Sequence, residues 1–151
     1  MAETKIGLDN HICASHMILQ RDLNPHETLF AGQAVSYIIE CGFLEAMDFL
    51  GTKHLVCQGV EGMRFMHPVH KADAIHITTS VIHLGKTSAG IYVSMFVVPE
   101  RIKAAEGFVT FVQIDEASGH AQGHNMTLKP LSAEDSKLTV RYEALRSVKR
   151  I

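Results

Sequence analysis

The chain has 151 residues, of which 46% are hydrophobic and 20% charged, with a formal net charge of -2. That length suits one domain with a real core, and the near-neutral balance argues against a nucleic-acid-binding protein, which carries a basic excess. No apolar run approaches membrane-spanning length, the opening MAETKIGLDN lacks the layout of a secretory signal, and Cys13, Cys41 and Cys57 suit neither a disulfide framework nor a zinc site.

Residues 1–10 are polar and are expected to be loosely held. HICASHMILQ, 11–20, is a strand candidate. A polar loop over 21–28 places Asp22, Asn24 and His26 at alternate positions. It runs into an apolar segment ending at Leu50, long enough for about four or five helical turns. Gly32 lies at the junction, where a helix start leaves N–H groups free. Counting about 100° per residue, Glu40 shares a face with Gln33, Ser36, Tyr37, Phe43, Leu44 and Met47, and Val35, Ile38, Ala46 and Phe49 lie opposite. Such a helix is normally buried on most sides. A core helix with one tolerated acid produces the same pattern, so the residues alone leave both readings of Glu40 open. Glu45 and Asp48 read as acids near a fraying end, before Gly51 and Thr52 stop the helix.

HLVCQGVEGMRFMHPV, 54–69, is a long strand candidate whose Gly59 and Gly62 suggest a bulge. Residues 72–84 alternate, with Ile75, Ile77 and Val81 on one side and His76, Thr78 and Ser80 on the other. By the same parity, His76 and His83 face opposite sides. Leu84–Thr87 reads as a hairpin turn, 89–98 as the next strand, 99–103 as a turn and GFVTFVQID, 107–115, as the last strand. EASGHAQGHNMTLKP then reads as a linker, and Ser132 caps a final helix with Leu138, Tyr142 and Leu145 on its apolar stripe. Arg146, Lys149 and Arg150 stand at its C-terminal end, where the dipole favours cations. One long helix and an antiparallel sheet of about five strands make an α+β domain. The helix is apolar beyond one face, so the sheet must curl around it or a second subunit must cover it. The domain is expected over 1–116, with a linker and helical tail over 117–151.

The segments DLNPHETLFAG, VEGMRFMHPVHKAD and GKTSAGIYVSMFV, in that order, resemble the hotdog-fold acyl-CoA thioesterases. They match the family's D-x-N-x-x-G-x-x-x-G-G loop, its V-E-G-x-x-F-x-x-P-V-x-x-G-D segment and its G-x-T-S-V-x-[IV]-x-[IV] hairpin. The tail resembles the family's polar C-terminal helix. The resemblance implies a single hotdog domain, a long central helix wrapped by a curved sheet. It implies two subunits joined edge to edge, as a homodimer or a larger tetramer or hexamer. It implies a small-molecule acyl-CoA as substrate and no cofactor; the charge balance argues against nucleic acid, the lack of a long apolar run against a membrane, and the three widely spaced cysteines suit a reducing cytoplasm. Three family glycines are replaced, by Glu27, Ala31 and Ala72. The family's helix acid falls on Ile39, with Glu40 one place later. His26 gives a D-x-N-x-H spacing like that of acyl carrier protein thioesterases on the same fold.

Thioester hydrolysis needs a polarised carbonyl, an activated water and a departing thiolate. The Gly32 N–H at the helix start suits the first, aided by the helix dipole. Glu40 is the first candidate for water activation and His26 the second; Asn24 can orient a water or hold the thioester. Lys86, Thr87 and Ser88, near a turn, suit a CoA phosphate or pantetheine, with Arg64 as a further candidate. No carboxylate or Cys accompanies the remaining histidines at metal-ligand spacing. Two other readings stand beside hydrolysis. One is a hydratase or dehydratase using His26 with Glu40. The other is a non-catalytic acyl-CoA binding or sensing module, which the displacement of the acid from position 39 keeps open.

Overall fold

The computed structural model describes residues 3–5, 11–128 and 130–147. Ten elements follow one another: β1 (Glu3–Lys5), β2 (His11–Met17), a 3-10 turn (Gln20–Asp22), α1 (Ala31–Leu50), β3 (Leu55–Phe65), β4 (Ala74–Leu84), β5 (Ser88–Val98), β6 (Ile102–Gln113), β7 (Met126–Leu128) and α2 (Ala133–Arg146). Five strands form one antiparallel sheet in the order β2-β4-β5-β6-β3. Helix α1 packs against one face and α2 lies on the other, which is the expected long helix wrapped by a curved sheet.

The inner face makes the main core. Ile38, Cys41, Ala46, Phe49 and Leu50 of α1 join Ile75, Ile77, Val81, Ile91, Val93, Met95, Val109 and Phe111 of the sheet, all buried. Alternation puts every second strand residue on this face. Helix α1 ends at Gly51, whose left-handed conformation lets its N–H reach the Met47 carbonyl. Contrary to the fraying expected near its end, Glu45 is buried, because the helix stays packed through its last turn. The helix is not covered all round, either: Leu44 is exposed, and Gly32, Val35, Ser36, Ile39, Glu40 and Phe43 line the same open flank.

Strand β3 bears two register irregularities against β6, between Cys57 and Gly59 and between Glu61 and Arg64, as its two glycines suggested. A third, between Val81 and His83 on β4, changes an expectation. The extra residue resets the side-chain alternation. His76 and His83 therefore both meet the α2 side, His76 beside Leu138 and Arg141 and His83 with its ring 5.4 Å from that of Tyr142.

The stretch read as a linker holds β7, which pairs in parallel with β1; three-residue strands carry too little alternation to be seen in sequence. Ser132 caps α2 as expected, its hydroxyl accepting from the Asp135 N–H at 3.0 Å. Lys149 and Arg150 lie outside the described residues. Tyr142 is the plug of α2, packed with Ile82, Tyr92 and Phe108 and hydrogen-bonded to Thr110. Gly90 makes room for it, since a Cβ there would stand 2.6 Å from the Tyr142 ring.

Candidate active site

The loop before α1 is a miniature hairpin organised by Asn24. The Asn24 side-chain carbonyl accepts the N–H groups of His26 (2.9 Å) and Thr28 (3.1 Å), and its amide donates to the Thr28 hydroxyl at 2.9 Å. This is the local chemistry that makes Asn a turn former. Leu29 N–H reaches the Val69 carbonyl at 2.7 Å, lacing the loop to the segment between β3 and β4. Glu27, at one of the replaced glycines, has a φ of 62°, and Ala72, at another, has a φ of 70°. The backbone thus keeps the left-handed conformation at both places although the side chains disfavour it.

Helix α1 begins with no side-chain cap. Phe30 occupies the capping position and offers no hydrogen bond, and the first turn holds no acid. Gln33 and Ala34 N–H groups both bond the Phe30 carbonyl at 3.0 Å. Among the described residues, Ala31 and Gly32 N–H groups have no such partner. A missing cap costs a helix about 0.5–2 kcal/mol, and the unpaired donors, with the helix dipole, form a ready site for developing negative charge. The Phe30 ring lies across Gly32: a Cβ at Gly32 would stand 2.4 Å from its Cε2.

The first turn of α1 separates two recesses. On one side lies a cavity of about 310 Å³, walled by Asn24, Thr28 and Ala31 and by the apolar Ala34, Phe65, Val69, Met95 and Ala104. On the other is the open flank that carries Gly32 and Glu40. Ile39 lies there too, so the displaced acid stays on the same flank as the position it vacates. His26 is exposed on the loop and lines neither recess. Within one chain, then, Asn24 and Glu40 do not share a cavity.

Beneath the loop sits a carboxylate that the sequence presented as a loop and cap acid, with acid–base work in the Asp22, Asn24 and His26 loop as the alternative to Glu40. Asp22 is 1% exposed. Its Oδ2 accepts the Leu19 N–H at 2.8 Å, and its Oδ1 accepts from the Gln33 amide at 3.2 Å and the Tyr37 hydroxyl at 3.1 Å. The Tyr37 ring stacks on His16, with centroids 4.3 Å apart and planes 19° from parallel. Burial, reinforced by the Asp22 hydrogen bond and charge, raises the Tyr37 hydroxyl pKa against the lowering effects of Gln33 and Arg21.

The other candidates lie elsewhere. Arg64, on the edge strand β3, is largely exposed and 3.9 Å from the buried Glu106 carboxylate. Lys86 and Thr87 occupy the turn between β4 and β5, Lys86 exposed. Ser88 is buried, and its carbonyl lies 3.0 Å from the His124 ring. Among the described residues, no group of three His, Cys, Asp or Glu side chains is placed to hold a metal ion.

Residues 26–103 match the thioesterase superfamily. The chain belongs to that family. An uncharacterised acyl-CoA thioester hydrolase of Bacillus subtilis is 26% identical over 117 residues, covering 75% of this chain and 67% of the relative. A hexameric acyl-CoA thioesterase crystallised in its apo form superposes with a TM-score of 0.80 at 25% identity, over 95% of this chain and 93% of the other. The acyl-CoA hydrolase of Staphylococcus aureus, solved with butyryl coenzyme A, coenzyme A and coenzyme A disulfide, gives 0.81 at 20% identity, again over 95% and 93%, a likeness of fold. Among the described residues of the present thioesterase-family chain, no helix is long and apolar enough to cross a membrane.

Proposed function

We propose that this chain hydrolyses acyl-CoA thioesters to a free carboxylic acid and coenzyme A. The observation that carries the reading is the uncapped start of α1, with unpaired Ala31 and Gly32 N–H groups, set against Asn24 and a mostly apolar cavity. A carbonyl oxygen at that helix start would gain charge in the transition state where donors and dipole already point. The cavity beyond Ala31 suits the acyl chain, being at the small end of ordinary ligand sites.

Glu40 is the proposed base. It takes a proton from water as the oxygen attacks the carbonyl carbon; the C–S bond then breaks, and the coenzyme A thiolate leaves to be protonated. Its flank is open in the single chain, and the exposed Leu44 beside it suits coverage by a second copy in a homodimer, or in a larger assembly such as the hexamers formed by structural relatives. Such a partner would enclose Glu40 and bring β3, with Arg64, toward the site of the other subunit. Lys86 and Thr87 are the proposed contacts for coenzyme A phosphates; the burial of Ser88 leaves it a lesser part.

Ile39, at the family's acid position, favours the alternative of a non-catalytic acyl-CoA binding module. Thiol release from an acyl-CoA panel separates the two. Hydrolysis is expected, and Glu40→Gln should lower kcat by about two orders of magnitude with little change in KM. Tight binding of acyl-CoA without turnover would move the chain to the binding reading. Full activity in Glu40→Gln would take the base away from that residue, and loss in His26→Ala would move it to the loop.

A further inference from the structure

We infer that Asp22 is the positioning residue of this site, a carboxylate that holds the Asn24 loop and the start of α1 in one fixed relation; this rests on the thioesterase reading above. Asp22 is hydrogen-bonded to Leu19, Phe30, Gln33 and Tyr37. Its side chain takes the N–H of Leu19 before the loop, and its backbone carbonyl takes the N–H of Phe30, at the helix cap, at 2.8 Å. Gln33 and Tyr37, one helical turn apart on the same face, both donate to Oδ1. The stacked His16 ring on β2 limits rotation of Tyr37. Both ends of the loop and the first two turns of α1 therefore converge on one buried residue. The unpaired N–H groups of Ala31 and Gly32 lie between these anchors.

The geometry also says what Asp22 does not do. Both carboxylate oxygens are engaged, and the residue is 1% exposed, so it reaches neither the cavity nor the open flank. Its effect on chemistry passes through the aim of other groups. An oxyanion site depends on donors held where charge develops, and small displacements cost rate rather than ground-state binding.

The test is a double-variant cycle with Asp22→Asn and Tyr37→Phe, reading kcat, KM, the pH–rate profile and amide hydrogen exchange. Tyr37→Phe keeps the ring against His16 and removes one donor. It should lower kcat about tenfold and lower the melting temperature by the loss of one bond to a charged group, with KM and the shape of the pH profile unchanged. Asp22→Asn should lower kcat further and speed exchange at the Leu19 and Phe30 amides. The double variant should be no worse than Asp22→Asn alone, since the two act as one unit. If Asp22→Asn removes a limb of the pH profile, it is an acid or base and the inference is overturned. It is equally overturned if kcat survives while those amides exchange freely. Wild-type chain that released no thiol would defeat the thioesterase reading instead. The clamp would then be read from amide exchange alone, and Leu19 and Phe30 amides as well protected in Asp22→Asn as in the wild-type chain would overturn it.

Discussion

Helix α1 meets the sheet through a continuous apolar surface, whereas α2 meets the opposite face through one buried aromatic and a set of charges. On the α1 side, Ile38, Cys41, Ala46, Phe49 and Leu50 are buried together. On the α2 side Tyr142 is the sole fully buried apolar side chain of the helix. Beside it, the buried Glu106 accepts from Tyr92 at 2.7 Å and from Arg141 at 2.7 Å, with Lys103 Nζ at 3.6 Å. The contrast separates two kinds of attachment. Apolar burial is insensitive to charge state; an ionic latch on a single plug answers to pH and salt.

The largest effect should come from opening the inner core. Ile38→Ala removes a fully buried side chain from the middle of α1 and should cost about 2–5 kcal/mol. Thermal unfolding should remain one cooperative transition, shifted downward, with α1 and sheet signals moving together. If only α1 loosened, the comparison would fail on its stronger side.

A smaller effect should follow from titrating the outer latch. Burial pushes the Glu106 carboxyl up, but the hydrogen bonds from Arg141 and Tyr92 and the charges of Arg141 and Lys103 outweigh it, so its pKa is lowered from the ordinary 4.5. A lowered carboxyl pKa adds stability that is present above the unfolded value and is lost as pH falls through the folded one. His83 is lowered from 6.5, first by burial and then by Arg146, against the raising effect of Glu143. Its neutral form is the one the fold favours, so its contribution is also full above the ordinary value and fades as pH falls below it. Acid should therefore loosen α2 in two stages, near and below the histidine range and then below the carboxylate range. Glu106→Gln should mimic the second stage at neutral pH, costing about 1.5–3 kcal/mol. Hydrogen exchange by segment checks this: α2 amides should lose protection while α1 amides keep theirs.

The smallest predicted change is a gain. Ala72 holds a φ of 70° in the turn before β4, so Ala72→Gly removes backbone strain at the expense of a more flexible unfolded chain. The net rise should be about 0.5–1 kcal/mol, shared by the whole inner core, because the Ala72 N–H bonds the Ile18 carbonyl at 3.0 Å. A fall in melting temperature would mean that the Ala72 side chain makes a contact worth more than the strain.

How far the residues reveal these features depends on whether a feature is periodic or relational. The alternation as far as Val81, the stop at Gly51 and the Ser132 cap were legible because each is local. Strand β6 begins at Ile102, ahead of the expected 107, because Ala104, Ala105 and Gly107 are small and lack strand preference; their place is set by what packs on them. His83 was assigned to the wrong face because a bulge has no certain mark in sequence. The residues proposed for the site, Asn24, Gly32 and Glu40, were visible one by one. Their separation by the first turn of α1 was not, since it depends on how the helix is rotated. The same holds for Asp22, whose partners Leu19, Gln33 and Tyr37 lie 3, 11 and 15 positions away.

Among the described residues, strand β3 has one neighbour, β6, and its outer edge runs for eleven residues. A long free edge is an invitation to adventitious pairing and fibre growth. Here the two kinks, near Cys57 and near Gly62, break that edge into short runs, and Glu61 and Arg64 set charges beside the second. A flat foreign strand can satisfy one run and must miss the next. A strand kinked at the same intervals and laid antiparallel, as another copy related by two-fold symmetry would be, meets both. Were a second copy to pair along this edge, the irregularity that interrupts pairing inside the sheet would act as a key outside it, one that a flat strand cannot match.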